Sequence, residues 1–531
     1  MAFFCPGPTS YTKAALKSTF LILFFIIPVF LVFSQEQNKD ADTVYVIREI
    51  EFIVDGITRP FALMLHGEFR KGQRITGREN LEAHLALKRQ LLVNQRVLEE
   101  VNIEYFLGEI EEDGALPVKL LVSVRDSRNI VILPVPRYST SDGLNLSLKA
   151  RDYNFIGTMS TLRVDLGYNQ RDGDRSFNFS IESDTPFQAA GLNWNLTFNH
   201  FFDLTFGQPL FYQNVTGLSL QLPWRTTTLT VGFNQYLTFN ETPGAESSVI
   251  YGVSGPHSPY GATELFASYR IPLGLTVGAF GELAYTPALA TRINYPPGRM
   301  DQTRKPRATF SHSIGFGRIN WIGNYRQGLS ASIDNSFCWY FDRSDAPFRA
   351  ALDGNIAFHW PLTAFLGVSS RLRYRQWWHW SNDWGGWIPH FNAGDVLRGV
   401  LDSDIWGTRH SDIWADRMLS LNLDLPIRIL VFQPSEWFNS RRLRLFDFEM
   451  HFSPFMDIAL LQGSFNNGNS GPHERIRFGF HDMITTGGFE IIAFSGFFRA
   501  LQLRASVGYN LGNFRGLSAW DEVFIGTSFH Y

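Results

Sequence analysis

Leu419-Ser420-Leu421-Asn422-Leu423-Asp424-Leu425, continued by Ile427 and Arg428, alternates apolar and polar residues with period two. Successive side chains of a strand point to opposite faces, so Leu419, Leu421, Leu423, Leu425 and Ile427 share one face and Ser420, Asn422, Asp424 and Arg428 the other. The pattern recurs at Leu144, Leu146, Leu148 and Ala150 against Asn145, Ser147, Lys149 and Arg151. It returns at Leu501, Leu503, Ala505, Val507 and Tyr509 against Gln502, Arg504, Ser506, Gly508 and Asn510. A soluble sandwich also alternates, but it buries its apolar face under a second sheet and uses shorter strands. These runs approach the roughly ten residues that a tilted membrane strand needs, and no helical pattern interrupts them from residue 139 to 531. In hydrocarbon every backbone N–H and C=O must be paired, so such a sheet closes on itself. The reading is mainly β: a transmembrane antiparallel β-barrel over 139–531, of about 16 strands at roughly 24 residues per strand and connection.

Composition agrees. Aromatic residues make up 15% of the 531, with 48 Phe, and membrane barrels use aromatics in girdles at both interfaces. The net charge of −3 and the lack of a long basic block exclude a nucleic-acid partner. Trp377, Trp378, Trp380, Trp384 and Trp387 crowd one strand end as an interface belt, with a sugar-binding platform as the alternative. His379, His390, His410 and His451 show no metal-ligand spacing, and no Ser/His/acid set can be nominated. No cofactor and no enzymatic activity are expected.

Residues 1–34 carry Lys13 and Lys17, then an apolar run from Phe20 to Phe33 and Ser34. The run is shorter than a spanning helix and suits a cleaved signal peptide, with an uncleaved anchor as the alternative. Cys5 would leave with it, so Cys338 has no intrachain partner. Residues 43–126 then read as strand (Thr43–Val54), helix (Phe61–Phe69), a second helix opened by a Thr76/Glu79 capping box, and two strands, Val101–Leu107 and Val118–Val124. This is enough for one small α+β domain. Pro134, Pro136 and Tyr138 form a linker to the barrel.

Two further stretches suggest a site. Gly394-Asp395-Val396-Leu397-Arg398-Gly399-Val400 sets one Arg among apolar residues. Alternation from Phe448 to Leu460 puts Met450, Phe452, Met456, Ile458 and Leu460 toward lipid and Glu449, His451, Ser453, Phe455, Asp457 and Ala459 toward the lumen. Arg398 reaching Asp457 would make a bidentate pair that Lys could not imitate. Arg371, Arg373 and Arg375, which share a lumenal face, are the alternative partners.

The 43–126 unit resembles a POTRA domain, especially over Leu91–Glu104. Asp152-Tyr153-Asn154-Phe155-Ile156-Gly157 resembles the D-x-N-F-x-G segment that opens the barrel in the BamA/TamA outer-membrane assembly superfamily. Leu397-Arg398-Gly399-Val400 resembles that family's V-R-G-F/Y loop motif, with changed flanks. Phe455-Met456-Asp457-Ile458-Ala459 resembles its F-x-D-x-G strand motif, with Ala last. The chain ends on an alternating strand with Phe529 and Tyr531, the aromatic ending that outer-membrane assembly machinery reads.

The resemblance implies an outer-membrane location with the N-terminal domain in the periplasm. It implies insertion or export of unfolded β-rich proteins by strand addition, the loop Arg meeting the strand Asp on the inner wall, and periplasmic accessory subunits and outer-membrane lipid as partners. Strand addition would use the third strand of the POTRA-like domain or a seam between Gly143–Asp152 and Val523–Tyr531. A two-partner secretion transporter, a passive pore or structural barrel, and a barrel-embedded enzyme are the rival readings.

Overall fold

The computed structural model describes residues 43–526 except 113, 140–142, 172–173, 208–209, 240–259, 278–279, 296–306, 342–347, 466–473, 512–521 and parts of 379–412. Residues 1–34, Phe529 and Tyr531 lie outside the described residues.

The N-terminal sheet has the order Arg74–Thr76, Val44–Asp55, Leu116–Asp126, Leu98–Leu107, its central pair parallel and its outer pairs antiparallel. Helices Pro60–His66 and Arg78–Asn94 cover one face. Pro60 starts its helix because the N–H it lacks would be unpaired there in any case. Leu63, Leu81, Leu85 and Leu92 meet Ile47, Val118, Leu120 and Val122 in one core. The capping box does not form. Thr76 pairs with Val44 at the end of a strand, and the longer helix begins after Gly77, at φ 87°, without a side-chain cap. Strand pairing has claimed the residue that would have capped.

Twenty-one strand segments close into one barrel. Three of them, Phe391–Asn392, Ile427–Phe432 and Glu474–Ile476, prolong a neighbouring crossing, which leaves 18 crossings among the described residues. Two causes raise the number above about 16. Two-residue hairpins such as Ala190–Gly191 and Gly323–Asn324, with residues at positive φ, shorten the connections. In addition, the expected linker is itself a strand: Ile130–Ser139 pairs with Gly143–Asp152 over its whole length. The first barrel strand is therefore Ile130–Ser139, and the barrel closes between it and Glu522–Gly526.

Alternation places most of the side chains as expected, although Leu501, expected on the face of Leu503, is buried at the strand end. Ser420, Asn422 and Asp424 are buried within the wall while Leu425 is exposed; Gln502, Arg504, Ser506 and Asn510 are buried while Leu503 is exposed. The outer surface carries many exposed apolar residues, Leu146, Leu148, Leu265, Ile333 and Phe489 among them, as a lipid-facing wall requires. The same periodicity removes Trp377 from the expected belt. It shares the inner face with Arg371, Arg373 and Arg375 and packs against a buried cluster around Phe391 and Leu397. The side chains of Trp380, Trp384 and Trp387 lie outside the described residues.

The N-terminal domain docks on one mouth of the barrel. Gln90 donates to the Trp321 carbonyl (2.9 Å), Asn94 to Asn320 (3.0 Å), and Arg96 to the Arg499 carbonyl (2.6 Å) and Asn324 (3.0 Å). The Arg96 guanidinium lies 4.4 Å from the centroid of the Trp321 ring.

Two histidines of this domain make its stability pH-dependent. Burial, helped by nearby Lys88, pushes His84 down to about 4; burial also lowers His66, partly offset by its contact with the Thr158 carbonyl. Both folded values lie below the unfolded one. The unfolded chain therefore binds more protons between about 6.5 and about 4, and stability is lost as pH falls through that window. His84 is only partly buried, so solvent screening moderates the effect. Hydrogen exchange over residues 60–94, corrected for intrinsic rates, should quicken between pH 7 and pH 5, and His84→Gln should flatten the dependence. Unchanged protection across that range would contradict the linkage.

Candidate functional site

A loop enters the barrel from the mouth opposite the N-terminal domain. The Ala393 carbonyl accepts from the N–H of Val396 (3.1 Å) and of Leu397 (2.9 Å), a turn that presents Arg398 to the wall. Phe391, Ala393, Val396 and Leu397 pack on Ile413, Met418, Ala459, Leu461 and Ile484, so the inner wall is apolar where the loop lies on it. Asn422 donates to the Val396 carbonyl at 2.9 Å.

Arg398 and Asp457 are both buried. The guanidinium grips the carboxylate at both oxygens, Nε to Oδ2 at 2.9 Å and Nη2 to Oδ1 at 2.7 Å, and the backbone N–H of Arg398 donates to Oδ2 at 3.0 Å. Its Nη1 donates to Asp424 (2.6 Å) and Glu490 (3.1 Å), and Arg504 approaches Glu490 at 3.6 Å. The Phe455 ring centroid lies 3.7 Å from the guanidinium carbon, which adds a cation–π contact. Among the described residues two guanidinium groups stand against three carboxylates here, and Arg398 touches all three. This arrangement holds a loop in place.

The structure brings together Arg398, Asp457 and Phe455, as the alternation anticipates. Gly399 lies outside the described residues. The alternative partners are engaged elsewhere: Arg371 with Asn355 (2.7 Å), and Arg373 and Arg375 with Asp353 (2.7 and 2.9 Å). Asp424 and Glu490 were missed. Asp424 already stood on the polar face of the opening stretch, but only the register sets it opposite Phe455, and Glu490 opposite Ser453.

The Asp152–Gly157 segment belongs to a second cluster, at the domain-proximal mouth. Asp152 accepts from the Asn154 N–H (3.0 Å) and turns the chain. The buried Asn154 amide donates to Thr58 (2.7 Å) and Asp126 (3.2 Å) of the N-terminal domain, and its oxygen accepts from the Met159 N–H (2.8 Å). Asp126 also accepts from Ile57 N–H (2.8 Å), Thr58 N–H (3.0 Å) and the Thr58 hydroxyl (2.6 Å). Gly157 adopts φ 77°; its carbonyl accepts from Arg59 N–H (2.8 Å), and a Cβ there would overlap the Ile57 carbonyl oxygen. Phe155 shapes the turn through its backbone, its N–H donating to the Ser160 carbonyl (2.9 Å) and its own carbonyl accepting from the Thr158 hydroxyl (2.7 Å). Tyr153 and Met159 extend the core of the N-terminal domain. The segment is a clamp between domain and barrel.

No family model and no curated protein sequence matches the chain. Solved structures similar to it include BamA from Haemophilus ducreyi lacking POTRA domains 1–3, at 13% identity and a TM-score of 0.36, covering 90% of this chain and 82% of that one. They also include CdiB from Acinetobacter baumannii, at 14% identity and 0.42, covering 90% and 73%. CdiB from Escherichia coli matches at 10% identity and 0.36, covering 96% of each chain. In barrel architecture the chain is similar to these BamA and CdiB structures.

Proposed function

We propose that this chain is a BamA/TamA-type outer-membrane barrel with one periplasmic POTRA-like domain, and that it inserts or exports β-rich proteins by strand addition at a seam that parts laterally. The observation that carries the reading is the edge between Ile130–Ser139 and Glu522–Gly526. The ladder from Ile130–Ser139 to Gly143–Asp152 runs without a break across Pro134 and Pro136. Proline has no N–H, so an unbroken ladder means that both missing donors face the other edge, toward the last strand. At about 0.5–1.5 kcal/mol net for each backbone hydrogen bond, a seam short of two donors opens more cheaply than its neighbours and leaves an edge for an unfolded strand to pair with. The seam expected at Gly143–Asp152 is thus displaced by one strand.

One cysteine in Ile130–Ser139 and one in Glu522–Gly526, chosen by a cross-linking scan, would lock the seam on oxidation. Assembly of client proteins should stop while the barrel keeps its folded electrophoretic mobility, and reduction should restore it. Full activity in the oxidised form would refute lateral opening. Depletion of the protein, read by quantitative outer-membrane proteomics, should lower many unrelated barrels for a general insertase. Loss of one secreted client would indicate a dedicated transporter, and no loss a passive pore.

A further inference from the structure

Among the described connections at the periplasmic mouth, that between Ile427–Phe432 and Phe448–Phe465 is the longest. It contains the short helix Pro434–Trp437 and the 3-10 turn Arg441–Phe446. It is built as a fixed element. Pro434 is buried; Asp447 accepts from the Ser435 N–H (3.1 Å) and from the Ser435 hydroxyl. The Ser440 N–H donates to the Ser435 carbonyl (2.9 Å), and the Gly496 N–H of the next turn donates to the Asp447 carbonyl (2.8 Å).

This frame displays apolar side chains outward. Trp437, Phe438, Leu445 and Phe446 are 62, 70, 52 and 57% exposed. Trp437 meets Phe432 of the adjoining strand edge-on, 5.1 Å between centroids, so the patch continues the lipid-facing surface formed by Ile429 and Leu430. A contiguous patch of this kind marks an interaction surface. Trp224 and Leu275 at strand ends, and Leu362 and Phe365 in a shorter connection, are exposed around the same mouth too. They mark the level where acyl chains meet headgroups, and the long connection deepens that belt at one point.

Charge indicates what covers the patch. Arg442 is exposed and has no ion-pair partner among the described residues, while Arg444 pairs with Glu99 of the N-terminal domain. Arg442 lies at the rim of a cleft that it lines with Arg444, Glu99 and Arg128; with the neighbouring aromatics sunk to the acyl boundary its planar fork would stand at phosphate depth, where it fits a phosphate. We propose that residues 433–447 are an interfacial foot, which sinks Trp437, Phe438, Leu445 and Phe446 into the periplasmic leaflet and binds the headgroup of an anionic phospholipid through Arg442. Through Arg444 and Glu99 the foot also braces the N-terminal domain against the membrane plane. The inference rests on the orientation proposed above.

The test uses the full chain, with Cys5 and Cys338 replaced by Ala, in phosphatidylcholine vesicles that carry brominated phosphatidylglycerol or brominated phosphatidylcholine at equal mole fraction. A bimane label is placed by Phe438→Cys, and in a separate chain by Leu430→Cys on the lipid-facing wall. The label at 438 should be quenched by brominated lipid and shielded from aqueous iodide, with phosphatidylglycerol the stronger quencher. Arg442→Glu should reduce that preference by about fivefold. Joint replacement of Trp437, Leu445 and Phe446 by Ser should open the label to iodide. Quenching at 430 together with iodide access at 438 in the parent would overturn the foot and leave the barrel intact. Loss of quenching at 430 would instead count against the barrel reading. Equal quenching by the two lipids would overturn the anionic headgroup.

Discussion

Arg398→Ala should release the loop from the barrel wall and cost more stability than any other single substitution in the lumen. The guanidinium is buried and contacts Asp457, Asp424 and Glu490, so its removal takes the shared cation from three carboxylates that stand close together, with Arg504 beside Glu490. Breaking a buried ion pair typically costs about 3–5 kcal/mol, because the remaining charge stays desolvated. The cation–π contact with Phe455 is lost as well. Arg398→Lys should rescue little, since an ammonium cannot grip both Asp457 oxygens and reach Asp424 from the same position. Thermal unfolding of the purified protein in detergent and protease sensitivity of residues 391–398 give the readouts, alongside client assembly in cells. Asp457→Asn tests the same pair from the other side and should be milder, because an amide oxygen still accepts one hydrogen bond. Wild-type stability and full function in Arg398→Ala would mean that the ion cluster positions nothing.

Asn154→Ala should free the N-terminal domain from the barrel without unfolding either. The side chain supplies three hydrogen bonds in a buried setting, to Thr58, Asp126 and the Met159 N–H. Each buried polar group left unpaired costs about 1–3 kcal/mol. Asn154→Asp should be worse than Ala, since it sets a second carboxylate against Asp126. Gly157→Ala attacks the same junction by sterics, through the overlap with the Ile57 carbonyl and the positive φ. All three variants should raise protease cleavage at 127–129 and hydrogen exchange at 57–59 and 153–159, while the barrel keeps its unfolding temperature. Unchanged protection at these segments would show that the remaining contacts, those of Gln90, Asn94, Arg96 and Glu99 among them, hold the domain without the clamp.

The two candidate sites were legible in the sequence to different depths. Arg398 and Asp457 could be paired in advance because strand alternation sends Asp457 inward, and a lone Arg in an apolar loop needs a carboxylate. Asp424 stood on an inward face in the same way, yet a period of two says which face a residue is on and nothing about which residue lies opposite; Glu490 shares its face with Ile492 and Phe494, so polarity does not tell the two faces of its strand apart. The Asp152–Gly157 segment was recognisable as a pattern, but its work was not. Its partners Thr58 and Asp126 lie 96 and 28 residues away from Asn154 in another domain, and no local periodicity reports that distance. Pro134 and Pro136 misled for a physical reason. Proline inside a strand is excluded only where its N–H would be needed, and an edge that faces the closing seam does not need it.

The amino-acid order alone determined that this is a barrel, because alternation in runs of membrane-spanning length leaves no other way to satisfy the backbone, and in the strictly alternating strands it determined which face turns to the lumen. Only the tertiary structure decided the number of crossings, the strand at which the barrel closes, the three acceptors of Arg398 and the clamp around Asn154. Each of these depends on register and on contacts between segments far apart in the chain, and those follow from how the strands shift along one another when the sheet closes.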